Sequence, residues 1–560
     1  MKKVTLFITI SCSLFTIHCF SQAPNWLWGR DAICSPNGGG LAFAIAKDGA
    51  GNIYHTGIFG DTITYGSNSY YDTDTGFSAT YIAKYDSSGN ILWARSSGGP
   101  GAAIVSAITV DGAANVYITG YYLGGSVSFG PYTLDTTDYD GIFMAKYDSS
   151  GNVLWAVICD SSSIGYPYGI TTDLANNVYL TGTIYSPTIK FGNHILNNNG
   201  LVNLFIVKYD SAAHVIWAKK AGETGIDKTY GITSDTLGNE YVTGYFNSPQ
   251  IVFGNDTLHN LGNHNVFIAK YDSSGNALWG RSGGGIYGEM GLTIASDKNN
   301  SEYIAGFFTS PTVTFGTDTL TSPGGETMFL AKYDAAGNIR WLTSSANGFN
   351  CNCFPYDVAV DQHSNPVVIG LLGYPMIGQV TFDTTILNPP PDSHNPMYIV
   401  KYDSAGHSLW GKIVILGGGD DNTNGGVICD SNNIYICAEF ETNPLVFRND
   451  SLYNYGIHSP FLAKLGHLDN VGIPEIEQHN SVSIFPNPND GNFTIYNMGF
   501  TNYDLQITDL SGREVYHQSI INNSSHKTQI DISDLSNGIY FWKVINYNQI
   551  IGVGKVSLIK

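Results

Sequence analysis

Between residues 229 and 281, apolar and polar positions fall into four short runs separated by turn-forming clusters. YGITSD turns at DTLGN into EYVTGYF; an excursion containing VFGNDTL follows; then VFIAKYD turns at DSSGN into ALWGR. The runs do not alternate cleanly between apolar and polar, as a sheet with one wet face would, so they predict strands covered on both faces. Asp can hydrogen-bond the backbone that follows it, and Gly or Asn can take positive φ, so both clusters read as hairpin turns. The segment predicts two hairpins, four strands in all.

The same grammar recurs along the chain. Aligned on the lysine of AKYD, it returns at Lys84, Lys146, Lys208, Lys270, Lys332, Lys401 and Lys464, spaced 62, 62, 62, 62, 69 and 63 residues apart. Seven copies of one unit imply an array in which each copy buries its faces against its neighbours. Small residues such as Ala269 and Gly244 are expected to let neighbouring sheets approach. A tryptophan ends the fourth strand in six units, at Trp93, Trp155, Trp217, Trp279, Trp341 and Trp410, and the seventh unit lacks one. The missing residue stands at the other end, in NWLWGR, where Trp28 precedes the spelling seen again at 279–281. An N-terminal strand that completes the last sheet removes two exposed sheet edges. The expected architecture is all-β: a closed ring of seven four-stranded blades over residues 24–466, a β-propeller rather than an open solenoid.

ANVYITG at 114–120, followed by FMAKYDSSGNVLW, resembles the bacterial SBBP repeat, a family named for a seven-bladed β-propeller. The resemblance covers about residues 24–466 and implies a propeller with no particular activity. Units six and seven depart most, with NPVVIGLLG and NIYICAEF in place of the usual YxTG strand.

Residues 467–481 break the repeat and read as a linker. Seven further strand-like segments follow, VSIFPNP, GNFTIYN, YDLQITDL, REVYHQS, KTQIDIS, GIYFWKVIN and IIGVGKVSLI, which predict a small Ig-like β-sandwich over 482–560. SIFPNPNDGNFTI, DLSGREV, DLSNGIYFWKV and the final GKVSLIK resemble the type A C-terminal sorting domain of the type IX (Por) secretion system of Bacteroidetes. Pro486, Asn487, Pro488, Gly491, Gly512, Arg513, Leu535, Gly538, Tyr540 and Lys555 fall on the motif positions, with Phe485 where Tyr is common. The resemblance implies recognition by the type IX machinery at the outer membrane, removal of the domain near the linker, and release or surface attachment of the propeller. The N-terminus agrees: Lys2 and Lys3, an apolar run from Val4 to Phe20 and small or polar residues after it read as a signal peptide over 1–21. His18 disfavours a lipoprotein reading through Cys19. Beyond the signal no stretch of about 18 apolar residues remains, so no transmembrane helix is expected.

The formal net charge of −20, with only 26 Lys and Arg, argues against nucleic acid, whose binding draws on cations. Cys12 and Cys19 leave with the signal; Cys34, Cys159, Cys351, Cys353, Cys429 and Cys437 form no zinc knuckle, and whether Cys429 and Cys437 are thiols or a bridge stays open. A functional site in a ring is single, so residues written in every unit belong to the architecture. That assigns Asp48, Asp111, Asp173, Asp235, Asp297, Asp361 and Asp430 to turns and the repeated lysines to packing.

Candidates for chemistry lie where the units differ. Asp420, Asn422, Asn424 and Gly425 match the opening of a calcium loop, although Ser431 occupies the twelfth position where an acid is expected; Asp72, Asp74 and Gly76 make a shorter match. Tyr166, Tyr168, Tyr230, Tyr287, Phe349 and Tyr356 precede the inner strands and offer sugar-stacking rings near a channel mouth. There is no H-E-x-x-H or P-loop. The reading is an exported, non-enzymatic propeller that binds or scaffolds a glycan or protein; the alternative is an extracellular polysaccharide-active enzyme using one face of the channel, through carboxylates near in space.

Overall fold

In the computed structural model of the protein, residues 23–560 are described except 73–78, 136–140, 161–163, 323, 348–351, 374–378, 391–392, 394, 418–424, 431, 467–481, 498–501, 510–512, 522–526 and 547–548. All described regular structure is β, and among the described residues no helix is long and apolar enough to cross a membrane. The chain divides into two compact units, Met1–Leu468 and Asp469–Lys560.

Among the described residues the first unit contains four antiparallel four-stranded sheets and three six-stranded ones, each of the three including a four-stranded antiparallel run of the same kind. In the run formed by Asp227–Ser234, Glu240–Phe246, Asn265–Tyr271 and Ala277–Gly284, the two middle strands are buried at every position. Both faces of each sheet are therefore covered, which is why the middle strands do not alternate. The first strands of successive sheets pack on one another in a circle. It runs from Gly39–Lys47 through Ala102–Val110, Gly165–Thr172, Asp227–Ser234, Glu289–Ser296, Asn352–Val360 and Gly426–Cys429, and returns to Gly39–Lys47. The ring is closed.

Closure rests on the strand Trp26–Asp31, which pairs antiparallel with Ser459–Gly466, placing Trp28 opposite Lys464. It completes the sheet that continues through Asn433–Phe440 and Gly426–Cys429. The spelling WGR carries a specific set of contacts. Arg281 donates to Gly337 O, Gly280 O and Asp256, and Arg30 donates to Gly89 O, Gly29 O and Asp450. Trp279 lies against Gly337 as Trp28 lies against Gly89. Both glycines have positive φ, and a Cβ on either would meet indole carbons at 2.9–3.0 Å.

Each turn aspartate organises its own hairpin and a joint to the next sheet. Asp235 Oδ1 accepts from the backbone N–H of Leu237 and Asn239, and Oδ2 accepts from Asn239 Nδ2 and Tyr241 OH. Lys270 Nζ stands 3.5 Å from the same carboxylate, 4.8 Å from the centre of the Tyr241 ring, and donates to Ala335 O in the following sheet. Trp279 Nε1 donates to that same carbonyl. Six lysines lie 2.8–3.9 Å from the aspartates that begin the first turns, while Lys464 donates to Ser87 O across the closing joint.

Gly244 has a different role from the one expected of it. A Cβ there would meet Lys228 O of its own sheet at 1.9 Å, where the first strand is bulged between Thr229 and Gly231. Close approach between sheets depends instead on first-strand glycines such as Gly231, whose added Cβ would stand 3.1 Å from Ile294 N of the next sheet.

The second unit comprises two sheets, one of Val482–Phe485, Asn492–Asn497 and Lys527–Asp531, the other of Glu514–Ile520, Tyr503–Thr508, Gly538–Asn546 and Gln549–Leu558. Phe493, Ile495, Leu505, Ile507, Trp542, Val544 and Val556 fill the core between them.

Candidate functional site

Because the turns, lysines and tryptophans repeat, the positions that change from sheet to sheet define the candidate site. The residue on each first strand that pairs with the position after the glycine of the second strand is Leu41, Ile104, Tyr166, Lys228, Met290 or Phe354. These positions are half-buried on the innermost strands. One of the six is a cation.

Around Lys228 the third and fourth sheets gather several tyrosines on the ring's inner wall, where the sixth sheet carries Tyr356 at the position of Tyr168 and Tyr230. Tyr166 meets Tyr121 edge-on at 4.8 Å and Tyr185 at 5.5 Å. Tyr168 stands 5.1 Å from Tyr230, which lies 6.1 Å from Tyr245, and Tyr245 lies 4.8 Å from the His264 ring. Lys228 Nζ sits over the Tyr185 ring at 5.5 Å. The wall therefore spans three consecutive sheets.

Burial would lower the pKa of Lys228, but hydrogen bonding to the Tyr185 hydroxyl and the nearby Tyr245 and Tyr168 hold it above the usual lysine value. Burial raises Tyr168, Tyr230 and Tyr245 and lowers His264. At neutral pH Tyr168, Tyr230 and Tyr245 are neutral phenols and His264 a neutral imidazole, beside the Lys228 cation. Among the described residues no carboxylate lies within 4.0 Å of Lys228 Nζ. Asp227, its chain neighbour, is engaged with the backbone N–H groups of Glu223, Asn247 and Ser248 and with the Ser248 hydroxyl.

Of the aromatic residues expected at a channel mouth, the fold brings Tyr166, Tyr168 and Tyr230 together, within the first strands rather than before them. Tyr287 is 54% exposed just ahead of the next first strand, and its carbonyl accepts from Asn263 N and His264 N. Tyr356 packs against the core of a different part of the ring, and Phe349 lies outside the described residues. Tyr121, Tyr185, Tyr245, Lys228 and His264 join the wall from positions that no sequence signal marked.

Asp420, Asn422, Asn424, Asp74 and Gly76 lie outside the described residues. Among the described residues no group of three or more His, Cys, Asp or Glu is arranged to hold a metal. Cys34, Cys429 and Cys437 are free thiols. A cavity of about 400 Å³ beside Arg281 is lined by Asp256, Gly280 and Gly337, the repeated parts of a sheet-to-sheet joint.

In the second unit the motif residues bind one another. Asn487 Nδ2 donates to Lys555 O, and Asn487 Oδ1 accepts from Ser557 N, each at 2.8 Å, so Pro486–Pro488 is tied to the last strand. Gly491 has φ of 114°, and a Cβ there would meet Ser533 Cα at 2.5 Å. Tyr540 OH donates to Ser536 O at 2.8 Å beside Gly538, and Leu535 packs on the core. Arg513 pairs with Asp509 at the surface, and Gly512 is outside the described residues. Lys560, unmarked in the sequence, donates from Nζ to Ser533 O and Leu535 O. These positions hold a small fold together.

Residues 483–557 match the family described as the secretion system C-terminal sorting domain. An uncharacterized WD repeat-containing protein of Acanthamoeba polyphaga mimivirus is 25% identical over 453 residues, covering 68% of this chain and 32% of that protein. The chain thus spans about a third of the length of the curated relative it matches. Among solved structures, a polysaccharide lyase described as a PL25 ulvan lyase is 10% identical with a TM-score of 0.40, covering 76% of this chain and 97% of that one. The endosialidase of phage phi92 is 10% identical with a TM-score of 0.36, covering 89% and 80%. A protein of unknown function from Bacteroides caccae is 11% identical with a TM-score of 0.31, covering 60% and 89%. Scores this low carry no chemistry over.

Proposed function

We propose that the protein is exported through a signal peptide and the type IX system, and works outside the cell as a seven-bladed propeller of the SBBP-repeat kind that binds glycan. The sorting domain, matched over residues 483–557, supports the route. The observation that carries the binding reading is the cluster of Tyr166, Tyr168 and Tyr230 with Tyr185 and Tyr245 around the Lys228 cation. Half-buried phenols present flat apolar faces and a hydroxyl each, the combination on which a sugar ring stacks and hydrogen-bonds. Calcium, held by the loop at Asp420, Asn422 and Asn424, is a further element of the proposal.

The test is affinity electrophoresis of the secreted protein through gels containing polysaccharides, with and without a calcium chelator. The wild type is expected to be retarded by at least one polysaccharide, and the Tyr168→Ala/Tyr230→Ala double variant to run as in a blank gel. Equal retardation of both proteins would overturn the assignment. A second reading, an enzyme acting on the same polysaccharide, rests on the contact between the neutral His264 ring and Tyr245, which supplies groups able to move a proton. Release of reducing ends from the retained polysaccharide, abolished by His264→Ala, would favour it.

A further inference from the structure

The wall's one cation narrows the class of ligand. Resting on the glycan reading above, we infer that the site selects an acidic polysaccharide, whose anionic group pairs with Lys228 while a sugar ring lies on the neighbouring tyrosines. Lysines in the repeated joints have a standing use, since each lies beside a turn aspartate or a backbone carbonyl of the next sheet. Lys228 is used differently. Its ammonium rests on the Tyr185 ring, and the adjacent Asp227 is already saturated by four donors. The same position carries Leu41, Ile104, Met290 or Phe354 in other sheets, so neither the strand nor the packing requires a charge there. A half-buried ammonium without a carboxylate partner among the described residues has surrendered part of its hydration, and an incoming anion regains that interaction in surroundings less screened than open water.

The molecule's net charge of −20 sharpens the argument. Long-range electrostatics repel a polyanion, so retention of one cannot be a general surface effect and must come from a local cation. Lys228→Met is a clean probe, because Met290 already occupies the equivalent place one sheet on.

Affinity would be measured for the secreted protein against polygalacturonate, dextran sulfate and uncharged dextran, using wild type, Lys228→Met, Lys228→Arg and Tyr168→Ala/Tyr230→Ala. The expected result is preference for one or both acidic polymers, a loss of roughly tenfold to a hundredfold in Lys228→Met and retention in Lys228→Arg. The two acidic arms tell a carboxylate from a sulfate. Equal binding of acidic and uncharged polymers by wild type, or undiminished acidic binding by a Lys228→Met variant of unchanged melting temperature, overturns the selectivity and leaves the glycan site standing. No binding to any polymer overturns both.

Discussion

His55 shows what a single residue can cost in this architecture. It is fully buried, neither ring nitrogen has a hydrogen-bond partner among the described residues, and Tyr65, Tyr81 and Tyr85 surround it at 5.4–6.0 Å. The equivalent residue in the other sheets is Ile118, Leu180, Val242, Ile304, Val368 or Ile436. Burial drives its pKa down to about 3, so the unfolded chain binds the proton more readily, and stability is lost as pH falls from about 6.5 toward 3. Glu240 and Glu302 act in the opposite direction. Burial pushes both up to about 8, so the folded state holds protons that the unfolded chain releases, and stability is lost as pH rises from about 4.5 to 8. Thermal melts across pH check both signs. His55→Ile is expected to stabilise by about 1–3 kcal/mol, most at acid pH, and Glu240→Gln/Glu302→Gln to raise the melting temperature at pH 8.5 while changing it little at pH 4.5. A wild-type profile that rises between pH 5 and 8.5, or a His55→Ile variant no more stable at acid pH, would contradict these assignments.

Among elements, the strand Trp26–Asp31 carries the clearest consequence. Terminal strands usually fray unless something ties them down. This one is tied by pairing to Ser459–Gly466, by Arg30 reaching Gly89 and Asp450, and by Trp28, which is 7% exposed, as is Trp279 in a middle sheet. Trp28→Ala and Trp279→Ala are therefore expected to cost about the same, roughly 3–5 kcal/mol each. A Trp28→Ala protein that melts with the wild type would show that the ring does not depend on its closing strand. The repeated strands were legible in the sequence because seven copies of Asp, Gly, Lys and Trp at fixed offsets leave little freedom in register. The bulge opposite Gly244 was not legible, since two residues facing one in an adjacent strand leave no mark on spacing that is itself repeated.

At the scale of the whole molecule, the chain forms two separate units, the second of which matches the sorting-domain family over residues 483–557. Each has its own core and sheets, so removing residues 482–560 is expected to leave the ring folded and to stop it reaching the medium. Immunoblots of medium and cell fractions, with a melt of the retained protein, check both halves; normal appearance of the shortened chain outside the cell would refute the address. The sorting motifs were legible because their residues bond to one another over a short, ordered stretch, as Asn487 does to the strand holding Lys555. The candidate site was half legible. Tyr166, Tyr168 and Tyr230 stood out as aromatic departures from the repeat, whereas Tyr121, Tyr185, Tyr245, Lys228 and His264 lie on second strands, at first-strand positions or in connections where nothing marks them as neighbours.

The chain's own order of residues determined the all-β class, the repeat, the use of Trp28 to finish the last sheet and the sorting tail, because each depends on local turn chemistry or on a pattern copied many times. Only the tertiary structure decided which side chains share one wall and that, among the described residues, Lys228 has no carboxylate partner. Sheets standing side by side in a ring bring together residues about 62 positions apart, and the angle at which they face each other is a property of packing that no local pattern encodes.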